Sequence, residues 1–569
     1  MKKYLFLAIS LNLALYSCNK DDNPAVDDVD LPPIITTEVL KSDAEAYALG
    51  NAVYGPLQTL SSSFSFLLES HTETTISFEG AETAGGPQAS RLETTPANSY
   101  ANKLFNAFYN SIGTSNITIE RLDSSKVTAK LTQSTKDLVK ARVKFTRALS
   151  YLYLVQLYGE VPLKLKQADA AKNTRVSIDE IYEQIVKDLT EAEADLPLFD
   201  VIRSNPSKGA ANALLARAYL AWGQNPLSQT QVEAIKSSQT DPAPSFNNER
   251  LQKAVEYADK VIESGQYALE SDFNENFGVT AENRSEEHIY TIHHDGDSKG
   301  DAQGNHQTHC PFTERFDLWT DNHIGPADVT IGDRFHDGDS RKLFSFVTEL
   351  YNADEPLGTS PQTYKKYEYK FPVTSPRYGK FIHRNGYTEA TRTLAPGSSS
   401  GQPNNINRIE LRYAELLLIK AEALFFLNRA SEALPLVNQL RQRAFGNSSH
   451  NLSTLTKEAL FEEWFLELSF EQKQWTNLTR WKNLIATVKT KVAAYEYYKE
   501  DYVDEAAVLA KAKSLYPNIE DEAVNAAFFA KTYKHLHAKT TNIAGKHYRF
   551  PIPTNSGINQ GVSPQNPGY

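Results

Sequence analysis

The chain has 569 residues, 40% of them hydrophobic, with 59 Lys and Arg against 70 Asp and Glu and a formal net charge of −11. That apolar content is enough to bury a large core and excludes a disordered chain. The acidic balance argues against a nucleic-acid binder, which needs a cationic surface to release counterions from phosphate. An aromatic content of 11%, with 29 Tyr and 27 Phe, serves mainly core packing and leaves rings for a carbohydrate-stacking surface.

Taken in order, Lys2 and Lys3, the apolar run Tyr4 to Ala14 and then Leu15-Tyr16-Ser17-Cys18 predict a cleaved signal over residues 1–17, too short for a membrane span. Its Leu-x-Ser-Cys end has the form of a lipobox, in which Cys18 is acylated (diacylglycerol and palmitate) and becomes the new N-terminus. Lys20-Asp21-Asp22 has the form of an acidic export tag, and residues 18–40 read as a polar, proline-bearing tether. With Cys18 lipidated, Cys310 is alone, so no internal disulfide is expected.

Ser42-Asp-Ala-Glu45 is a capping box that opens a helix expected to reach Leu60 with a kink near Pro56. Residues 61–96 read as loop, with Gly85-Gly86-Pro87 breaking any regular element, and Ala97 to Ile112 as helix. In the stretch Leu138 to Leu163, Leu138, Ala141, Phe145, Ala148, Leu149, Leu152 and Val155 share one stripe, while Lys140, Lys144 and Arg147 hold the opposite, solvated side. Past Arg147 both sides turn apolar, which predicts a helix enclosed at its C-terminal half and closed by Gly159. A second capping box, Ser177-Ile-Asp-Glu180, starts a helix to about Leu196. Alanine-rich amphipathic helices follow over Lys208 to Trp222, Leu251 to Ser264, Asn407 to Asn428 and Ala430 to Phe445, at a spacing typical of helix-turn-helix repeats. In the Asn407 helix, Tyr413, Leu417, Ala421 and Leu424 form the packed face, and Arg412, Glu415 and Glu422 the other. Between Gln266 and Gln402 the helical period is lost, apart from a short strand expected over His288 to His293; a long irregular region on a helical scaffold is where binding usually lives. Residues 488–543 read as inserted helix.

Three groups of residues resemble one family. They are the Ala-Arg-aromatic helix ending in Leu157-Tyr-Gly-Glu-Val-Pro-Leu163, the run Arg412-Tyr-Ala-Glu415 with Asn438-Gln-Leu-Arg441 and Glu463 to Trp481, and the closing Arg549-Phe-Pro-Ile-Pro-Thr554 and Gln565-Asn-Pro-Gly-Tyr569. In that order they resemble the SusD/RagB outer-membrane lipoproteins of Bacteroidetes, over Cys18 to Tyr569; Trp464-Phe465-Leu466 departs from the Glu-Arg common there. The resemblance implies a mainly α fold with tetratricopeptide-like repeats, in which an N-terminal helical region (41–265) and a C-terminal region (266–569) form one compact unit. It implies a lipid-anchored protein on the outer membrane, facing the cell exterior, that captures an oligosaccharide, or in RagB-like members a peptide, and acts as the lid of a SusC-like TonB-dependent transporter. The helices from Lys208 to Ser264 would then face the transporter, and the 266–402 region the ligand.

The ligand residues belong to no motif and are chosen on chemistry. Sugars stack C–H faces on rings and pair hydroxyls with carboxylates and amides. Phe316, Trp319, Asp321 and Asn322 form the best such run, because Trp319 is the one tryptophan of five outside a predicted helix. Phe78 and Tyr100 flank the other long loop and rank second. Seven of the 13 histidines fall between His288 and His336, but His293-His294 point to opposite faces of a strand and His306-x-x-His309 sits in a polar loop, so no transition-metal site is expected. Asp295, Asp297 and Asp301 are oxygen-rich enough for a structural calcium ion, as are Asp333, Asp337 and Asp339, although both runs lack the closing Glu of an EF-hand loop. No other cofactor is expected. Gly397-Ser-Ser399-Ser-Gly401 matches a nucleophile-elbow string but lacks the flanking strand and helix, so catalysis is not expected. The opposing class, a secreted glycoside hydrolase, needs only two carboxylates at a suitable separation.

Overall fold

Side-chain caps set most of the helix starts. Ser42, Asn98, Thr132, Ser177, Ser207 and Asn247 each accept a backbone N–H from two or three residues ahead. They open α1 (Asp43–Asn51), α2 (Ser99–Asp123), α3 (Gln133–Tyr158), α4 (Ile178–Asp195), α5 (Lys208–Gly223) and α6 (Asn248–Glu263). The remaining long helices are α7 (Tyr413–Phe426), α8 (Ala430–Phe445), α9 (Lys457–Leu468), α10 (Leu484–Ala493), α11 (Glu505–Leu515) and α12 (Ala526–Asn542). This computed structural model describes residues 39–569 except 59, 61–63, 65–66, 78–82, 126–127, 278–284, 294–323, 346–349, 354–363, 368–392, 395–406, 522–523, 525 and 555–560. Val39–Tyr569 forms one compact unit.

The Ser177 capping box forms with both arms. At Ser42 only one arm forms, because the Glu45 carboxylate accepts the Lys41 N–H instead, at 2.7 Å. The first helix stops at Asn51 and does not run kinked to Leu60: Pro56 would clash with the carbonyl of Ala52, so the chain breaks and starts a new turn at Gly55–Gln58. Residues 61–96 are also not plain loop. Glu69–His71 is a 3₁₀ turn, Thr75–Ser77 is strand β1, and Gly85-Gly86-Pro87 opens a short helix to Ser90, since a first-turn proline lacks only an N–H that has no helical partner.

α3 is the hub. From Phe145 to Tyr158 every residue but Gln156 is buried. Its tyrosines remain compatible with that burial because each hydroxyl has a partner: Tyr151 donates to the Lys164 carbonyl, Tyr158 to that of Ala101, and Tyr153 to Glu410 Oε1. Arg147 departs from expectation. It leaves the solvated face for a buried, bidentate pair with Asp188 of α4, at 2.6 and 2.8 Å.

The helices stack in chain order, α2 on α3, α3 on α4, and so on through α5, α6, α7 and α8. α6 packs directly on α7, so the chain between them is a spatial insertion into a continuous stack. α5 lies inside the stack, with all residues from Gly209 to Ala216 buried, and so cannot offer the partner-facing surface expected of it. In the insertion, β2 (His288–Ile292) pairs antiparallel with β7 (Arg408–Arg412), and β3 (Ile324–Pro326) with β1. β4 (Leu350–Ala353) lies between antiparallel β5 (Tyr364–Tyr367) and parallel β6 (Thr393–Leu394). β7 replaces what reads in sequence as the first turn of the Asn407 helix.

The terminal motifs form a clasp on the C-terminal end of α3. Asn566 Nδ2 donates to the carbonyls of Tyr158 and Phe550, and the Gln565 amide exchanges two hydrogen bonds with the Ile552 backbone. Arg549 lies over Gly159 and pairs with Glu160. Gly159 has φ 76°, and a Cβ there would come within 2.1 Å of the Arg549 guanidinium carbon. Gly159→Ala is therefore expected to destabilise the fold by at least about 2 kcal/mol, read in urea melts, through backbone strain and the displaced Arg549.

Candidate ligand site and its buried frame

The 288–412 excursion is closed at its base by β2 and β7, where Ile292 lies opposite Arg408 and His288 opposite Arg412. Under this base lies an ionic cluster with almost no solvent contact. Arg412 reaches Glu287 (2.5 Å), Glu467 (2.6 Å) and Glu471 (2.9 Å). Arg341, carried by the excursion, reaches Asp339 (2.7 Å), Glu463 (2.6 Å) and Glu467 (3.2 Å). Arg443 pairs with Glu287 and Glu467, and Arg441 with Glu463. Burial alone would raise the Glu467 carboxyl, but Arg443, Arg412 and Arg341 hold it far below the usual carboxylate range. A second cluster behaves alike: burial pushes Glu410 up, and Lys473, Arg408 and Arg217 outweigh it, bringing Glu410 to about 2.

Two further anchors pin the middle of the excursion. Arg334 pairs with Glu462 (2.7 Å) and Glu73 (3.1 Å), and the Asp328 carboxylate accepts the N–H groups of Thr330, Glu496 and Tyr497. β3 pairs with β1, which belongs to a buried polar stretch. Lys539 Nζ donates to the carbonyls of Thr72 (2.7 Å) and Thr75 (2.8 Å), Glu73 Oε1 accepts from Gln474, and Ser90 Oγ accepts the Ser77 N–H. Burial brings the Lys539 ammonium down to about 7. The groups named here exchange water for protein partners, which fixes β1 and through it β3.

The sequence candidates fall as follows. Phe316, Trp319, Asp321, Asn322 and Phe78 lie outside the described residues, as do Asp295, Asp297, Asp301 and Cys310. Their points of attachment are described. Ser77, which precedes Phe78, is the direct ladder partner of Ile324, and residue 323 ends the stretch that holds Trp319. Two segments chosen separately from sequence therefore leave the frame at one end of one ladder. Tyr100 is a correction: it is 7% exposed and part of the core, so its ring is no stacking platform. Asp339 is a second correction, because its carboxylate is occupied by Arg341 while Asp333 and Asp337 are exposed. Among the described residues no group of three His, Cys, Asp or Glu is placed to hold a metal ion. His288 is buried against the Asn276 carbonyl (3.0 Å), with burial lowering it to about 4.

Sequence reasoning missed the frame itself. Arg412, Glu415 and Glu422, which periodicity puts opposite the packed face, are all buried. The legible signal was a set of Arg and Glu in helices too leucine-rich to have a solvent side, as in Arg412 to Leu424 and Glu463 to Leu468. Glu410 and Glu467 are held as anions by the ammonium and guanidinium groups around them, whereas burial raises the Asp328 carboxyl.

Comparison with known proteins agrees with this architecture. A family model described as "SusD family" matches residues 222–569, and one described as "Starch-binding associating with outer membrane" matches residues 49–220. The chain is 27% identical over 516 residues to SusD-like protein P2 of Formosa agariphila, covering 85% of this chain and 91% of that one. It is 26% identical over 378 residues to the starch-binding protein SusD of Bacteroides thetaiotaomicron, covering 60% and 64%. A solved laminarin-binding SusD-like protein superposes with a TM-score of 0.63 at 20% identity, covering 93% of this chain and all of that one. With a family model spanning more than half its length, a superposing SusD-like fold and binding proteins as its named relatives, the chain belongs to the SusD/RagB family of non-enzymatic proteins.

Proposed function

We propose that this protein captures an oligosaccharide at the cell surface and passes it to a SusC-like TonB-dependent transporter, acting as the transporter's lid from a lipid anchor at Cys18. The observation that carries the reading is the junction at Ser77 and Ile324, where two ring-bearing segments join a buried frame tied together by ion pairs and hydrogen bonds. A binding site needs its contact groups held in place, and a buried, ion-paired base supports such a site. Phe78, Phe316 and Trp319 are the stacking rings, and Asp321 and Asn322 the hydroxyl-pairing groups. The starch- and laminarin-binding relatives support a carbohydrate ligand, and the family description supports the outer membrane. The outward faces of α4 and α6, rather than buried α5, are the helical surface left for the transporter.

A thermal-shift panel of oligosaccharides and peptides tests this. A ligand at 100 times its Kd stabilises the fold by about 2.7 kcal/mol. Trp319→Ala is expected to weaken binding by about 1–3 kcal/mol, the range of a base stacked on an aromatic ring. Shifts from peptides alone would move the ligand to the RagB-like class, and release of reducing ends would make the protein a hydrolase.

A further inference from the structure

A cavity of about 50 Å³ lies where α3, α4 and α5 meet the C-terminal clasp, walled by Gln156, Gly159, Tyr182, Arg480, Lys482 and Arg549 among others. A water needs about 10–15 Å³ of such space, so the cavity accommodates a few water-sized groups. Lys482 is 7% exposed, yet among the described residues its Nζ has one weak partner, the Thr479 carbonyl at 3.4 Å, and no carboxylate. The other charges facing it come from Arg480 of its own segment, bound to Glu422, and Arg549 of the clasp, bound to Glu160. Tyr182 of α4 and Tyr548 add hydroxyls, the latter donating to Asp241 at 2.6 Å. No Asp or Glu lines the cavity. Arg480 and Arg549 are each paired with a carboxylate, Glu422 and Glu160, the latter also 3.9 Å from Arg175, whereas the Lys482 charge is unmatched among the described residues. The Tyr182 hydroxyl and Gln156 amide have no described hydrogen-bond partner and supply further donors.

A buried cation without an anion is costly, and it is relieved either by proton loss or by a counterion. We propose that this cavity binds a small inorganic anion of chloride size, held by Lys482 Nζ with the Gln156 amide and Tyr182 hydroxyl, under the positive field of Arg480 and Arg549. Burial, followed by Arg480, brings the Lys482 ammonium down to about 7. Proton loss and anion binding then compete: the anion binds the ammonium form, so its affinity is nearly full below that value and falls as pH rises above it.

The test uses the full chain, melted at pH 6 and pH 9 in sodium chloride and in sodium methanesulfonate at equal ionic strength. At pH 6 chloride is expected to raise Tm saturably where methanesulfonate does not, with apparent affinity at least about tenfold weaker at pH 9. Lys482→Met should abolish the chloride dependence. Crystals grown with bromide should show an anomalous peak beside Lys482, which decides the matter even if the variant fails to fold. Identical melting in both salts at pH 6, chloride dependence retained in Lys482→Met, or no bromide peak in the cavity overturns the proposal.

Discussion

Arg412→Met is expected to cost the fold about 3–5 kcal/mol in urea melts, the penalty for breaking a buried ion pair from one side. Arg412 is 1% exposed and the shared partner of Glu287, Glu467 and Glu471, which are themselves buried. Its removal leaves five cluster carboxylates, Glu287, Asp339, Glu463, Glu467 and Glu471, facing only Arg341, Arg441 and Arg443. Methionine fills much of the volume but restores no charge. The exposed pair Arg429 and Glu432 provides the control, since Arg429→Met should cost under about 1 kcal/mol. Equal losses for the two variants would show that the cluster is not what holds the excursion. The two buried clusters together fix an acid limit. Glu410 and Glu467 have folded pKa values depressed below the ordinary 4.5, so their stabilisation is complete above that value. It is lost as pH falls toward about 2, where the folded carboxylates take up protons that the unfolded chain has already bound. Stability measured down that range should fall, and a flat profile would contradict the pairing.

Cys18→Ala should move the protein from the membrane fraction to the soluble fraction after carbonate washing. One acyl chain gives only marginal, reversible binding, whereas two or more anchor stably, so the transfer should be nearly complete. Among the described residues no helix is long and apolar enough to cross a membrane. If the variant stays membrane-bound after the wash, the lipid anchor proposed at Cys18 is wrong.

By itself the sequence determined the helical stack. The Ser177 box, the Gly159 stop and the stripe from Leu138 to Val155 are local patterns, and local hydrogen bonding and one-sided burial were enough to place α3, α4, α5, α6 and α8 within a few residues. The family was legible for a related reason: Asn566, Gln565 and Arg549 build a specific clasp, and such a clasp demands specific residues. Only the tertiary structure decided which charges are buried. Arg147, Arg412, Glu415 and Glu422 have the same side chains as solvated residues, and partners 41 or more positions away, such as Asp188, Glu467, Arg217 and Arg480, draw them inside. It also decided that Tyr100 is core and that Ser77 meets Ile324. Periodicity reports which face of an element is apolar, but the match of a buried charge to a distant opposite charge, or of one strand to another, is a property of the folded chain and leaves no local trace.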